Sequence, residues 1–243
     1  MIINLTRVTV TTALALLPLA AATAPAGAAQ APTAQVPAAT QTPDAAPASA
    51  RVAETLSLAV AVNRLPVATE SRTGYTRDAF KHWNAGLKPD GCNTRNEVLI
   101  SEAVQAPTVG ARCALSGGSW WSYYDDTVVE SASSLDIDHM VPLAEAWDSG
   151  AHGWTAARRE AYANDQGQAS SLVAVTAKSN RSKADQDPAQ WLPPAADALC
   201  RYTSDWLATK LRWALSIDEE EQRRLYQLAA GCPSTRVTFT PAP

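Results

Sequence analysis

Residues 136–142 read Asp-Ile-Asp-His-Met-Val-Pro, and residues 180–183 read Asn-Arg-Ser-Lys. Two carboxylates two residues apart, a histidine directly after the second and a later asparagine suit metal-assisted phosphodiester hydrolysis. A hard divalent cation takes oxygen ligands. The Asp138 carboxylate and the Asn180 amide oxygen can supply two and leave positions for water and phosphate. His139, with an ordinary imidazole pKa near ~6.5, can take a proton from the attacking water close to neutrality. Leu135 to Val141 reads as a strand ended by Pro142, which puts Asp136 and Asp138 on one face and Ile137 on the other. His139 would then point away from Asp138, so the two serve one site only if the chain bends out of the strand there.

Working outward, Leu172-Val173-Ala174-Val175 is a compact apolar run that reads as a second strand. Thr176 can cap a helix beginning at Ala177, with Asn180 in its first turns. Ala144–Trp147 and Thr155–Ala163 read as short helices between the strands. Upstream, Glu54–Leu65 has the spacing of a short helix that stops before Pro66. Tyr75, Phe80 and Trp83 are expected to pack, and His82 beside them reads as a surface or satisfied histidine. Thr94 with Glu97 three residues on has the form of a capping box. Thr108 to Val129, punctuated by Gly117-Gly118, reads as short β segments. Downstream, Asp205–Ser216 places Leu207, Leu211 and Leu215 four apart, and Asp218–Ala230 opens with acids and ends at Gly231, as helices do. The order strand, inserted helices, strand, helix makes the fold class α+β.

The series Leu135–Pro142, Leu143, Ala146-Trp147, Ser149-Gly150-Ala151, Tyr162-Ala163-Asn164-Asp165, Val173-Ala174-Val175, Asn180-Arg181-Ser182-Lys183 and Trp191-Leu192-Pro193-Pro194 resembles the secreted HNH endonucleases. These belong to the ββα-metal superfamily, in the subgroup carrying D-x-D-H-x-V-P-L. The resemblance runs from about Gly74 to Cys232, with the core motif at 135–194 and two helices inserted between the strands. It implies Asp138 and Asn180 as metal ligands and His139 as general base. Asp136 stands behind them, orienting His139 or holding the turn. Arg181 is the candidate for gripping phosphate during catalysis, because its fork binds phosphate bidentately. Lys183 is a second phosphate candidate, and Arg95, in a C-x-T-R-x-E-V-L block that accompanies the motif, a third. Ser171 stands where family members often carry Asn, which puts the rigidity of the loop holding the base in question. The implied cofactor is a divalent ion, Mg²⁺ first and Mn²⁺ next. The implied substrate is DNA, with RNA as the alternative. His152, in a glycine-flanked loop, is left out of the site.

Arg7, the apolar run Val8–Ala22 and the small residues Ala26-Gly27-Ala28-Ala29 have the form of an export signal over residues 1–29. Residues 30–50, almost all Ala, Pro, Thr, Gln and Ser, have the composition of a disordered spacer, leaving 51–243 for a single nuclease domain. No other stretch is long and apolar enough to span a bilayer. The protein is expected to be secreted and monomeric. Cys92, Cys113, Cys200 and Cys232 are an even set in an exported chain, and of three pairings Cys92–Cys113 with Cys200–Cys232 closes modest loops clear of the motif. The rival, structural zinc, lacks any C-x-x-C. The net charge of −4 argues against nonspecific coating of nucleic acid. It leaves room for local contacts from Arg158, Arg159, Lys178, Arg181 and Lys183, or for these to be surface charges. The reading from another class is a catalytically silent secreted module that binds nucleic acid or an envelope polymer.

Overall fold

Strand β1 (Glu54–Ser57) runs straight into helix α1 (Leu58–Arg64), with Ser57 as its cap accepting the Val60 N–H. The helix expected over Glu54–Leu65 is thus confined to its second part. The first four residues pair antiparallel with a strand at the other end of the chain, Thr55 opposite Thr238 and Leu56 opposite Val237. Local periodicity carries no trace of so distant a partner. The computed structural model describes residues 51–243, so the export signal and spacer expected over residues 1–50 lie outside the described residues.

Helix α2 (Thr94–Glu102) is capped by Asn93, whose side chain accepts the Asn96 N–H at 2.9 Å, one residue before the expected Thr94. Thr94 donates instead to Asn84 Oδ1. Glu97 closes no capping box, because its carboxylate accepts the N–H groups of Leu87 and Lys88 and the Gln166 amide. The loop before the helix needs acceptors for its donors, and that demand outranks the cap. Two short hairpins follow, β2 (Thr108–Val109) with β3 (Leu115–Ser116) and β4 (Trp120–Ser122) with β5 (Thr127–Val129).

The centre consists of β6 (Leu135–His139), α3 (Leu143–Asp148), α4 (Ala156–Ala163), β7 (Leu172–Thr176) and α5 (Ala177–Lys183). Thr155 caps α4 and Thr176 caps α5, each as expected. β6 and β7 pair antiparallel, with Asp136 opposite Val175, Asp138 opposite Val173 and His139 opposite Leu172. Opposed residues share a face, so Asp136 and Asp138 lie with Val173 and Val175, and His139 lies with Leu135, Ile137, Leu172 and Ala174. A two-stranded ribbon is at best marginal alone, and here both faces are covered. Val173 and Val175 join the large core, while Leu135, Ile137, Leu172 and Ala174 pack on Val98, Leu99, Trp120 and Val129. The ladder holds through His139, and the Met140 N–H still reaches Ser171 O at 3.0 Å. The bend expected before His139 therefore comes after it, at Met140–Pro142.

The chain closes with α6 (Leu199–Trp213), α7 (Glu219–Gly231) and β8 (Arg236–Phe239). α6 buries Tyr202, Trp206, Leu207 and Trp213, and begins six residues before the Asp205 read from the leucine spacing. Fully buried Lys210 on α6 joins three helices, donating to Glu145 Oε1 at 2.7 Å, Glu221 Oε2 at 3.0 Å and Ser149 Oγ at 2.7 Å. Burial opposes its charge, yet Glu145 and Glu221 hold the ammonium above its ordinary range. Both disulfides, Cys92–Cys113 and Cys200–Cys232, form in the expected pairing, which leaves no thiolate for zinc. No helix among the described residues is long and apolar enough to cross a membrane.

Candidate active site

The end of β6 and the first turns of α5 meet at a cleft of about 250 Å³ lined by Asp138, His139, Asn180 and Arg181, with Arg77 and Asp185 at its margin. Asp138 is buried, and its Oδ2 accepts from the Tyr124 hydroxyl at 2.6 Å and from Lys183 Nζ at 2.5 Å. No bond is made to Oδ1 among the described residues, and that oxygen belongs to a side chain lining the cleft. Burial pushes the Asp138 carboxyl up against the pull of Lys183, and pushes the Lys183 ammonium down against the pull of Asp138.

Lys183 was expected to reach phosphate, and the structure corrects this. Its side chain is 0 % exposed, and Nζ donates also to the carbonyls of His139 at 3.0 Å and Met140 at 2.8 Å. All three ammonium protons are thereby committed. The residue pins the strand end that carries His139. Arg95 is likewise elsewhere: one guanidinium nitrogen donates to the carbonyls of Ala132 and Leu135, holding the start of β6, and the side chain does not line the cleft.

His139 lies on the opposite strand face from Asp138 yet borders the same cleft, because both sit where the strand ends. Its Nε2 bonds the Ala163 carbonyl at 2.9 Å. A carbonyl can only accept, so the proton is on Nε2 and Nδ1 keeps its lone pair. Burial lowers the imidazole to about 3, and neighbouring cations including Arg77 and Lys183 push the same way, so the ring is neutral near pH 7. Trp83 stacks on it at 5.3 Å between centroids and 21° between planes, and Tyr162 lies nearly parallel at 6.4 Å. Trp83 holds a φ of 57°, an unfavourable setting for a bulky residue. The sequence marked Trp83 only as packing; its seat on His139 went unread.

The Ala163 carbonyl is itself well anchored. Asp165, two residues on, accepts from Arg212 Nε at 2.6 Å and Nη2 at 2.8 Å, from Trp213 Nε1 at 2.9 Å and from Ser171 Oγ at 2.6 Å. Ser171, where the resemblance raised doubt about rigidity, is buried and tied into this network. Burial opposes the Asp165 charge, but the bonds from Arg212, Ser171 and Trp213 outweigh it and hold the carboxyl below the usual range.

Asp136 was expected to orient His139 or hold the turn. It contacts Asn180 instead, whose Nδ2 donates to Asp136 Oδ2 at 3.2 Å. Turning the amide nitrogen toward the carboxylate turns the amide oxygen away, and that oxygen makes no bond among the described residues. Arg181 Nε lies 3.5 Å from the same Asp136 oxygen, with its side chain 76 % exposed. His82 is satisfied by Phe80 O at 2.9 Å, and His152 by Trp147 O at 3.0 Å outside the cleft. Arg77, in the stretch read as aromatic packing, and Asp185 are lining residues that sequence reasoning missed. A second acidic cluster, Glu70, Glu145 and Glu221, has Lys210 at its centre as the balancing cation.

The donor set suits a hard divalent ion. Asp138 Oδ1 and Asn180 Oδ1 are oxygens without hydrogen bonds, while the other polar atom of each side chain is engaged elsewhere.

Residues 108–228 match the family model described as GmrSD restriction endonucleases, C-terminal domain. The span takes in Asp136, Asp138, His139, Asn180 and Arg181 and leaves out Arg77 and Arg95. The chain is also 40 % identical over 160 residues to an uncharacterized secreted protein of Arthroderma benhamiae (strain ATCC MYA-4681 / CBS 112371), covering 65 % of this chain and 76 % of that protein. No solved structure matches. At that identity and coverage the chain belongs to one family with the secreted protein, and residues 108–228 are its match to the GmrSD C-terminal domain.

Proposed function

We propose that the protein is a secreted, metal-dependent endonuclease of the HNH type that hydrolyses phosphodiester bonds in DNA, with RNA as the alternative substrate. One observation carries the reading. The bond from His139 Nε2 to Ala163 O leaves the Nδ1 lone pair free on a residue that lines one cleft with Asp138 and Asn180, each of which has an oxygen without a hydrogen bond among the described residues. The family model's description as an endonuclease domain supports the reaction class. The relative's name and the export signal expected over residues 1–29 support secretion.

His139 Nδ1 takes the proton of the attacking water, and the Ala163 carbonyl steadies the ring as it gains charge. Arg181 binds non-bridging phosphate oxygens through its exposed fork. Asp138 and Asn180 would hold the divalent ion, Mg²⁺ first and Mn²⁺ next, and when bound it supplies Lewis-acid stabilisation of charge on the phosphate. Tyr124 and Lys183 fix one Asp138 oxygen, and Asp136 fixes the Asn180 amide, so both ligands are held in orientation.

The test is plasmid nicking by residues 51–243 with and without EDTA, Mg²⁺ and Mn²⁺. Metal-dependent nicking is expected, with His139→Ala inactive at every metal concentration while its circular dichroism is unchanged. Asn180→Ala should need more metal for half-maximal rate. No nicking by the wild type under any ion favours the silent binding module. Undiminished turnover in His139→Ala removes the base.

A further inference from the structure

Two arginines line the cleft, and they differ in how they are held. Arg181 lies within ion-pairing distance of Asp136, whereas the Arg77 guanidinium has neither hydrogen bond nor ion pair among the described residues. Asp185 lines the same cleft but is paired with Arg72, which also takes Asp148. An exposed arginine is common on any surface. One beside a catalytic-type histidine, in a chain of net charge −4, is not explained by solvation alone.

The backbone beneath Arg77 is rigid. The residue opens a short 3₁₀ turn, Arg77–Ala79, with Phe80 N–H bonded to Arg77 O and Ala79 N–H to Thr76 O, both at 3.1 Å. The Ala79 carbonyl accepts Arg159 Nε at 3.1 Å. Phe80 is fully buried against Tyr75, Trp147 and Tyr162. A long cation on so fixed a base is preorganised, so closing on an anion freezes little beyond its own side chain.

We propose that Arg77 is a phosphate-binding residue of this cleft, gripping the backbone of the polynucleotide substrate together with Arg181. The proposal rests on the nuclease reading. It adds a contact from outside the ββα unit and outside the matched family domain, carried by the turn 77–79.

The experiment measures binding without turnover. A fluorescein-labelled DNA duplex is titrated with wild type, Arg77→Ala, Arg77→Lys and Arg224→Ala in EDTA over a series of salt concentrations, followed by anisotropy. Each phosphate contact contributes about 0.9 to the slope of log K against log salt on duplex DNA. Arg77→Ala should flatten that slope by about 0.9 and weaken binding severalfold at low salt. Arg77→Lys keeps the charge and the slope but loses the fork, so its kcat on plasmid with Mg²⁺ should fall while its binding holds. Arg224 lies on α7, bonded to the Gln227 side chain and absent from the cleft lining, and its alanine variant should match the wild type. Melting curves check folding, and if Arg77→Ala is unfolded then Arg77→Lys decides. A wild type that binds and cleaves, with Arg77→Ala showing the same slope and affinity or Arg77→Lys the same kcat, overturns the assignment and leaves the nuclease standing. A wild type that neither binds nor cleaves overturns the nuclease reading and this proposal with it.

Discussion

Replacing Lys183 by Met separates a buried strut from a phosphate contact. The lysine is fully buried, and its ammonium serves Asp138 Oδ2, His139 O and Met140 O. Methionine has similar length and fills the same space, so packing changes little. What changes is the charge balance: Asp138 is left buried with only Tyr124 OH on Oδ2. Removing one partner of a buried ion pair costs about 3–5 kcal/mol, and the two carbonyls left without this donor add about 1 kcal/mol each. A domain of this size has a total stability of roughly 5–15 kcal/mol. At about 2–4 °C per kcal/mol the melting temperature should fall by roughly 10–25 °C. Thermal unfolding by circular dichroism in EDTA measures this with ion binding out of play. The double variant Asp138→Asn/Lys183→Met should recover much of the loss, because no lone charge stays buried. A drop under about 3 °C in Lys183→Met, together with weakened DNA binding, would refute the strut and restore Lys183 as a phosphate contact.

Glu70→Gln should raise the melting temperature increasingly as pH rises from 4 to 9. Burial, then Glu145 beside it, lift the Glu70 carboxyl to about 8. A folded pKa above the unfolded value near ~4.3 stabilises fully below that value, and the benefit is lost as pH rises through 8; a difference that stays flat across the series rules this out. Arg212→Ala breaks a buried bidentate pair and should cost about 3–5 kcal/mol near neutrality. Because Asp165 is held below its ordinary value, the wild type's advantage is complete above about pH 4 and shrinks as pH falls through the folded pKa; an advantage that grows in acid contradicts the pairing. The disulfides close loops of 21 and 32 residues' separation, worth about 3–4 kcal/mol each in the chain-entropy account. Cys200→Ala/Cys232→Ala should be less stable by that amount in denaturant unfolding, and non-reducing peptide maps should show 92 linked to 113 and 200 to 232.

How much of this was legible varies with the range of the interaction that decides each feature. The strands at 135 and 172 and the caps at Thr155 and Thr176 are local, and the sequence shows them. The conversion of Glu54–Ser57 into a strand depends on β8 and leaves no local sign. Glu97 has the spacing of a capping box, but its buried carboxylate goes to the loop before the helix and to Gln166, which no pattern in the helix reports. At the site, the motif located Asp138, His139 and Asn180, and the fold does bring them to one cleft. It could not say that Lys183 points inward, since a lysine reads as surface unless its buried partner is known. Arg77 and Trp83 were visible as a charge and a ring in a single aromatic stretch, and only tertiary placement distinguishes them from packing, Trp83 stacked on His139 and Arg77 lining the same cleft.

The three side chains of the site share one construction, and it predicts where the site is soft. Each has two polar atoms, one fixed by the protein and one facing the cleft. Asp138 is fixed by two short bonds on Oδ2, both from buried donors. His139 is fixed by Ala163 O, which the Asp165 network stabilises in turn. Asn180 hangs on a single bond of 3.2 Å to Asp136, whose side chain is 31 % exposed and shared with Arg181. A bond so placed competes with water and adds only about 1 kcal/mol. Within the proposed ligand set the Asn180 amide therefore has the least resistance to flipping, and a flip presents a donor where a cation would need an acceptor. On this argument Asp136 acts on the site through Asn180 and leaves His139 alone. Asp136→Ala should then disturb binding of a cation while leaving the His139 tautomer as it is.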